Sequence, residues 1–254
     1  MLITAINLLG YQQFRCAMFV LKKRNIIITA VLILTMLTFA LCFSSLAGKS
    51  AGDASVSKFK IVLDAGHGGV DGGVIGTKTG VKESELNLKL VKKLEKYLVG
   101  AGMNVVLTRS SDAGLYGVAT KNLKRKDMEK RKEIIEDAQP TLVVSIHMNK
   151  YSLSTRRGAQ VFYKEGDKAG KLLAKSIQSS FNDMEEAVRD CSELSGDYYI
   201  LNCTDYPSVI AECGFLSNPQ DEALLVTDEY QESLAYAVFK GIVTYLAQTT
   251  MICC

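Results

Sequence analysis

The two histidines of the chain, His67 and His147, each follow a short apolar run. Residues 61–63 (IVL) lead into DAGHGG, and residues 142–146 (LVVSI) lead directly to the second imidazole. Apolar runs of this length are typical of buried strands, and glycine permits the close backbone approach that a site at a strand end needs. Because imidazole is the commonest metal ligand in proteins, two histidines at two strand ends indicate a metal site.

Two carboxylates complete the candidate site. Glu83 opens a helical pattern sixteen positions after His67, and a loop of that length can return its side chain to the strand end. The alternative is that Glu83 only complements the positive end of the helix dipole. Glu212 interrupts the apolar stretch VIAECGF, where an unpaired buried carboxylate costs several kcal/mol. Two histidines and a carboxylate, with a fourth position left to water, are a recurring catalytic zinc set.

Other residues near His67 have more than one interpretation. Asp64 and Asp71 either orient an imidazole, as carboxylates beside metal-bound histidines do, or cap the loop. The stretch GHGGVDGG could also be taken for a nucleotide-phosphate loop. It lacks both the GK[ST] ending and the GxGxxG spacing of such loops, which argues against nucleotide binding.

The elements that must position these residues alternate between strand and helix patterns. Strand, helix, strand, helix, strand is typical of a largely parallel sheet. We therefore predict an α/β fold, with a mostly parallel twisted sheet, helices on both faces and the site at the carboxyl ends of the strands. The charged residues of the predicted helix at 121–138 are interpreted as its solvent-exposed face. The predicted strands are 61–63, 104–108, 142–147, 159–163, 198–201 and 207–213, and the predicted helices 82–102, 121–138, 171–181 and 228–246.

The first 47 residues are predicted to be an export signal or a membrane anchor. Residues 26–47 carry no charge and are long enough to cross a bilayer, and the basic residues 22–24 before them favour a cytoplasmic start. The small residues Ser45 and Ala47 have the spacing that signal peptidase recognises, so both a cleaved signal and a retained anchor stay open. A start at Met18 would give the shorter basic segment that is usual ahead of such a run.

The rest of the chain is predicted to be one domain. The 254 residues are 48% hydrophobic and 22% charged, which suits one packed core plus an appendage. Five of the 30 basic residues and none of the 27 acidic ones lie in residues 1–50. The remainder of the chain therefore has no excess of positive charge, which nucleic-acid binding requires. Residues 48–57 are interpreted as a linker, and residues 58–248 as the folded domain that carries the candidate site.

Four motifs, LDAGHGGVDGG, ESELNL, SIHMN and ECGFLSNPQDEALL, occur in that order. Together they resemble the zinc-dependent N-acetylmuramoyl-L-alanine amidases of the type-3 family, over about residues 60–246. The resemblance implies Zn²⁺ ligands at His67, Glu83 and His147 and a catalytic glutamate at Glu212. Two positions depart from the family pattern, since Ala65 stands where proline is usual and Lys150 where alanine is common.

The resemblance also implies the reaction and its setting. The expected reaction is hydrolysis of the amide between the lactyl group of N-acetylmuramic acid and L-alanine in peptidoglycan. The single-domain layout is most similar to the germination-specific group, which implies a role in spore cortex maturation, through muramic lactam formation, and in germination. The expected location is outside the cytoplasmic membrane, in the cell wall or spore cortex space, secreted or held at the membrane by an uncleaved N-terminal segment. The alternatives are an inactive peptidoglycan-binding or regulatory relative, and a zinc peptidase that cuts stem peptides.

Overall fold

The computed structural model describes residues 58–252, together with residues 35, 36 and 38. The predicted export segment and linker, residues 1–57, therefore lie almost wholly outside the described residues and stay predictions. Among the residues that are described, no helix is both long enough and apolar enough to span a membrane.

Six strands form one mixed sheet in the order β2-β1-β3-β6-β4-β5. Neighbouring strands are parallel throughout, except that β4 runs antiparallel to β6. This arrangement confirms the predicted, mostly parallel α/β sheet. The strands are β1 (Lys60–Ala65), β2 (Asn104–Leu107), β3 (Leu142–Asn149), β4 (Gln160–Tyr163), β5 (Leu194–Ser195) and β6 (Ser208–Phe215).

Helices cover both faces of the sheet, as predicted. Leu63, Val144 and Ala211 belong to the larger core, with residues of α1, α3 and α6. Val62, Val143 and Ile210 belong to the smaller core, with residues of α2 and α4. The helices are α1 (Glu83–Gly100), α2 (Leu123–Ala138), α3 (Lys168–Asn182), α4 (Tyr199–Asn202), α5 (Pro219–Leu225) and α6 (Asp228–Ile252).

The alternation of side chains along the strands decides which face carries the site. Successive residues of a strand point to opposite faces, so Glu212 lies on the same face as Ile210. The smaller core that holds Ile210 leaves the carboxyl ends of β3 and β6 open to a cleft on that side. The site therefore opens beside α2 and α4.

Two predictions about local structure were wrong. Residues 198–201 were predicted to be a strand but contribute to the helix α4. Their apolar side chains, Ile200 and Leu201, are buried in the smaller core, and a short apolar run does not by itself distinguish a strand from a buried helical turn. The solvated-face interpretation of α2 also fails for Asp127 and Arg131, which are buried.

Candidate metal and catalytic site

His67 lies in the loop that follows β1 and has a left-handed backbone conformation, with φ at 61°. This region is uncommon for residues other than glycine, so the surrounding structure must hold it. The imidazole Nδ1 is 3.0 Å from Asp71 Oδ2, and its Nε2 is 3.2 Å from Glu83 Oε1. Asp71 thus contacts His67 directly, which supports the orienting interpretation of that residue.

Glu83 is the first residue of α1 and is only 2% exposed. Its Oε1 accepts a hydrogen bond from the amide of Met148 at 3.1 Å and lies 2.9 Å from His147 Nδ1. Its Oε2 accepts a bond from the amide of Val74 at 2.8 Å. Glu83 therefore lies between both imidazoles, and a role limited to the helix dipole would not explain this burial.

His147 and Glu212 stand at the ends of the neighbouring parallel strands β3 and β6. The two residues pair in the strand register, and the rings of His147 and His67 meet edge to face with centroids 5.0 Å apart. Glu212 Oε2 is buried and has no hydrogen-bond partner among the described residues. A buried polar atom of this kind normally has a partner, so this oxygen is free to bind a group that enters from the cleft.

The electrostatics of the site separate the two glutamates. Burial raises the pKa of Glu212 to about 7, against a smaller opposing effect from His147. Burial would also raise the pKa of Glu83, but hydrogen bonds from His147 and His67 hold it well below its usual range. Glu83 is thus a permanent anion, whereas Glu212 can gain and lose a proton near neutral pH.

The charge of His67 follows from the same contacts. Burial lowers the pKa of this imidazole, but Glu83 and Asp71 outweigh that effect and raise it to about 9. A metal ion that binds this imidazole near neutral pH must therefore displace a proton.

The three proposed ligands can meet one metal ion. One donor atom each of His67, Glu83 and His147 lies within 4.8 Å of the other two. Tetrahedral ligands about 2.1 Å from zinc are about 3.4 Å apart, and both imidazoles approach Glu83 Oε1 at 2.9 and 3.2 Å. Two nitrogens and one carboxylate oxygen are also a donor set that zinc prefers. The residues present therefore fit a zinc ion.

A cleft of about 870 Å³ contains all four candidate residues. This is within the range of sites that bind ligands of several hundred daltons. Aromatic side chains of Tyr116, Tyr198 and Tyr199 form part of its walls. The cleft is therefore large enough for a sugar and part of a peptide.

Two buried arginines that the sequence analysis did not identify hold the His67 loop. Arg131 donates to the carbonyl oxygens of Ala65 at 2.9 Å and His67 at 2.6 Å. Arg109 donates to the carbonyl oxygens of Ala65 at 2.8 Å, Gly66 at 3.0 Å and Ser84 at 2.8 Å. Arg109 thus connects the backbone beside His67 to the backbone beside Glu83, two of the proposed ligands.

Arg131 is also the partner of Asp64, which turns away from His67. Asp64 accepts hydrogen bonds from Arg131, Ser145 and Thr108, and Arg131 also pairs with Asp127 at 2.6 Å. Burial would raise the pKa of Asp64, but Arg131 and the two hydroxyls outweigh it and lower the pKa to about 2. Asp64 therefore supports the loop through Arg131 and does not orient the imidazole directly.

The loop between His67 and Glu83 is fixed by a third glutamate, Glu222 in α5. Its carboxylate accepts bonds from the amides of Lys78 at 2.9 Å and Thr79 at 2.7 Å and from the hydroxyl of Thr77 at 3.0 Å. Through these bonds of Glu222, the loop is attached to the helix that follows β6. The loop also needs glycine where it passes the site, because a Cβ at Gly73 would lie 2.4 Å from Glu83 Oε2.

Comparisons with known proteins identify the family of the chain. The family described as N-acetylmuramoyl-L-alanine amidase matches residues 61–244. The germination-specific N-acetylmuramoyl-L-alanine amidase of Bacillus subtilis (strain 168) is 34% identical over 192 residues, which cover 74% of this chain and 80% of that protein.

Solved structures give the same result. The CwlD amidase from Clostridioides difficile, in complex with the GerS lipoprotein, is 36% identical with a TM-score of 0.71, over 74% of this chain and 98% of that one. The catalytic domain of the amidase CwlV from Bacillus (Paenibacillus) polymyxa var. colistinus is 29% identical with a TM-score of 0.64, over 74% and 98%. With the match over residues 61–244, these likenesses show that the chain belongs to the N-acetylmuramoyl-L-alanine amidase family.

Proposed function

We propose that the chain is a zinc-dependent hydrolase of the amide that joins the lactyl group of N-acetylmuramic acid to L-alanine in peptidoglycan. His67, Glu83 and His147 would hold the ion, which when bound polarises a carbonyl and lowers the pKa of a water molecule. The observation that carries the proposal is the convergence of these three donor atoms within 4.8 Å in the cleft that also contains Glu212.

Glu212 is proposed as the general base and acid. Its carboxylate would accept a proton from the attacking water and then deliver it to the departing amine of alanine. A pKa of about 7 suits both transfers, because a catalytic group works best when its pKa is near the operating pH. The unpartnered Oε2 supports this role.

Other residues would keep His67 in position during the reaction. Asp71 contacts the imidazole Nδ1 and thereby leaves Nε2 for the metal, as carboxylates beside metal-bound histidines do. Arg131 holds the backbone carbonyl of the same residue.

The proposed setting is the cell wall or spore cortex space, where the enzyme would act in cortex maturation and germination. The name of the Bacillus subtilis relative supports the role in germination, and the lipoprotein bound to the Clostridioides difficile amidase supports a location outside the cytoplasmic membrane. The uncharged residues 26–47 are proposed to direct export, as a cleaved signal or a retained anchor, ahead of a linker at 48–57 and a catalytic domain at 58–248.

The test is incubation of the purified, zinc-loaded protein with peptidoglycan, followed by identification of the new amino terminus. The proposal requires peptides that begin with L-alanine and glycan chains with free lactyl carboxylates. New termini within the stem peptide would indicate a zinc peptidase instead. Binding to peptidoglycan without any new terminus would indicate an inactive relative.

A further inference from the structure

A second cavity, of about 180 Å³, adjoins the catalytic cleft and is lined by Arg156, Arg157 and Arg189. We call it the arginine groove. Asn149 and Tyr198 line both the groove and the cleft, so a ligand can extend from one into the other.

The topology of the sheet explains this position. Because β4 is antiparallel to β6, it begins at the edge where β6 ends, and Gln160 pairs in register with Glu212. Arg156 and Arg157 precede Gln160 by only four and three residues. β5 is parallel to β4, so the segment with Arg189 reaches the same edge. The reversal of one strand thus places all three arginines at the edge of the sheet where β6, the strand of Glu212, ends.

Two of the arginines are held in place by neighbouring side chains. Arg157 Nε donates to Asp221 Oδ1 at 3.0 Å, and this aspartate is buried and also accepts a bond from the amide of Phe215, at the end of β6. The guanidinium of Arg156 lies 5.2 Å from the ring centroid of Tyr151. A guanidinium that is already ordered loses less freedom when it binds a planar anion.

The groove and the cleft differ in the charged side chains that line them. None of the described residues that line the groove is acidic. The cleft next to it is lined by six carboxylates as well as by Lys124, Arg131 and Lys150. Arginines collected in one cavity, apart from these acids, favour an anionic ligand, and arginine matches the planar geometry of a carboxylate. The six are Asp64, Asp71, Glu83, Asp127, Asp197 and Glu212.

We propose that the arginine groove binds the free α-carboxylate of the second residue of the peptide that is attached to the scissile amide. This inference rests on the proposed function, in which the lactyl carboxyl group is itself part of the amide. The free carboxylates of such a substrate therefore lie on its peptide, and the peptide leaves the cleft through the groove. The arginines thereby determine specificity for an acidic stem peptide.

The test uses the full chain and two soluble N-acetylmuramoyl-L-alanyl dipeptides, which end in D-glutamate or D-isoglutamine and differ by one carboxylate. The variant Arg156→Gln/Arg189→Gln removes two exposed charges and keeps Arg157, which contacts buried Asp221. We expect its KM for the glutamate substrate to rise about tenfold, with kcat and the KM for the isoglutamine substrate unchanged. Lys92→Gln, on the exposed side of α1, is the matched control and should change neither KM.

An equal rise in KM for both substrates, or no rise for either, would overturn the proposal. A binding measurement separates this result from a failure of the proposed function. Calorimetry with L-alanyl-D-glutamate and L-alanyl-D-isoglutamine needs no turnover, and the double variant should lose about tenfold in affinity for the first peptide only. Absence of peptidoglycan cleavage by the wild type would contradict the proposed function, whereas equal wild-type affinity for the two peptides would contradict the groove.

Discussion

His147 and Glu212 are register partners on the adjacent parallel strands β3 and β6, so the two side chains leave the same face of the sheet side by side. The neighbouring parallel strand β1 delivers the His67 loop to the same edge. Three strands that end together thus collect side chains that are far apart in the sequence. Glu83 reaches them from the first turn of α1, which makes the site a product of both strand and helix geometry.

The first prediction concerns Glu212. Glu212→Gln should keep the metal and lose at least about 10²-fold in kcat, because the amide preserves the shape of the side chain and removes the proton acceptor. Metal content by atomic spectroscopy and turnover on peptidoglycan are measured on the same sample. Loss of the metal from a folded variant would instead assign Glu212 as a ligand.

The second prediction concerns the ligands. His67→Ala and His147→Ala should each lose most bound zinc, because only two of the three protein ligands would remain. Equilibrium dialysis against buffered zinc gives the affinity without any need for turnover, and circular dichroism checks the fold. The control is Lys150→Ala, which changes a residue that lines the cleft but lies outside the ligand group. Undiminished zinc binding by both histidine variants would contradict the assignment.

The parts of the fold that could be predicted share a local signal. Apolar runs identified β1, β3 and β6, and polar residues at their ends singled out His67, His147 and Glu212. Glu83 became a candidate because it begins a strongly periodic helix. A polar residue that ends or interrupts an apolar run, or that begins a helix, is visible without tertiary contacts.

Arg131 shows why other parts could not be predicted. It lies in a helix rich in charged residues, where a buried arginine and a solvated one have the same sequence pattern. Its helical spacing from Ile135, which lies in the smaller core, and from Met128, which packs against that core, was the only local sign that Arg131 is buried. Its partner Asp64 lies 67 positions away in the sequence, so the pairing could not be predicted. The arginine groove is similar, because Arg189 joins Arg156 and Arg157 only through the pairing of β5 with β4, and the antiparallel pairing of β4 with β6 then places them near the cleft.

The third prediction is that Arg131→Met destabilises the fold and weakens zinc binding. The change leaves Asp64 and Asp127 buried near one another without their cation, and breaking a buried pair on one side costs about 3–5 kcal/mol. It also removes the bond to the His67 carbonyl. Urea unfolding of the metal-free protein measures the stability, and dialysis measures the zinc affinity. Lys132→Met, on the adjacent and more exposed residue, should stay within about 0.5 kcal/mol of the wild type.

The fourth prediction concerns acid stability and the same buried pair. The pKa of Asp64 is about 2 in the folded chain, compared with an ordinary value of 3.8, so the folded state favours the ionised form. Its stabilising contribution is about 2 kcal/mol. It is fully present above about pH 4 and is lost as the pH falls through 4 towards 2, because the unfolded chain takes up the proton first.

Asp64→Asn tests this dependence because asparagine does not titrate. The free energy of unfolding of the metal-free wild type and of the variant is measured by urea denaturation from pH 6 to pH 2.5. We expect the wild type to be more stable at pH 6, and the difference to shrink by at least about 1 kcal/mol at the acid end. A difference that stays constant across this range would show that Asp64 has the same pKa in both states, and that Arg131 does not hold it ionised.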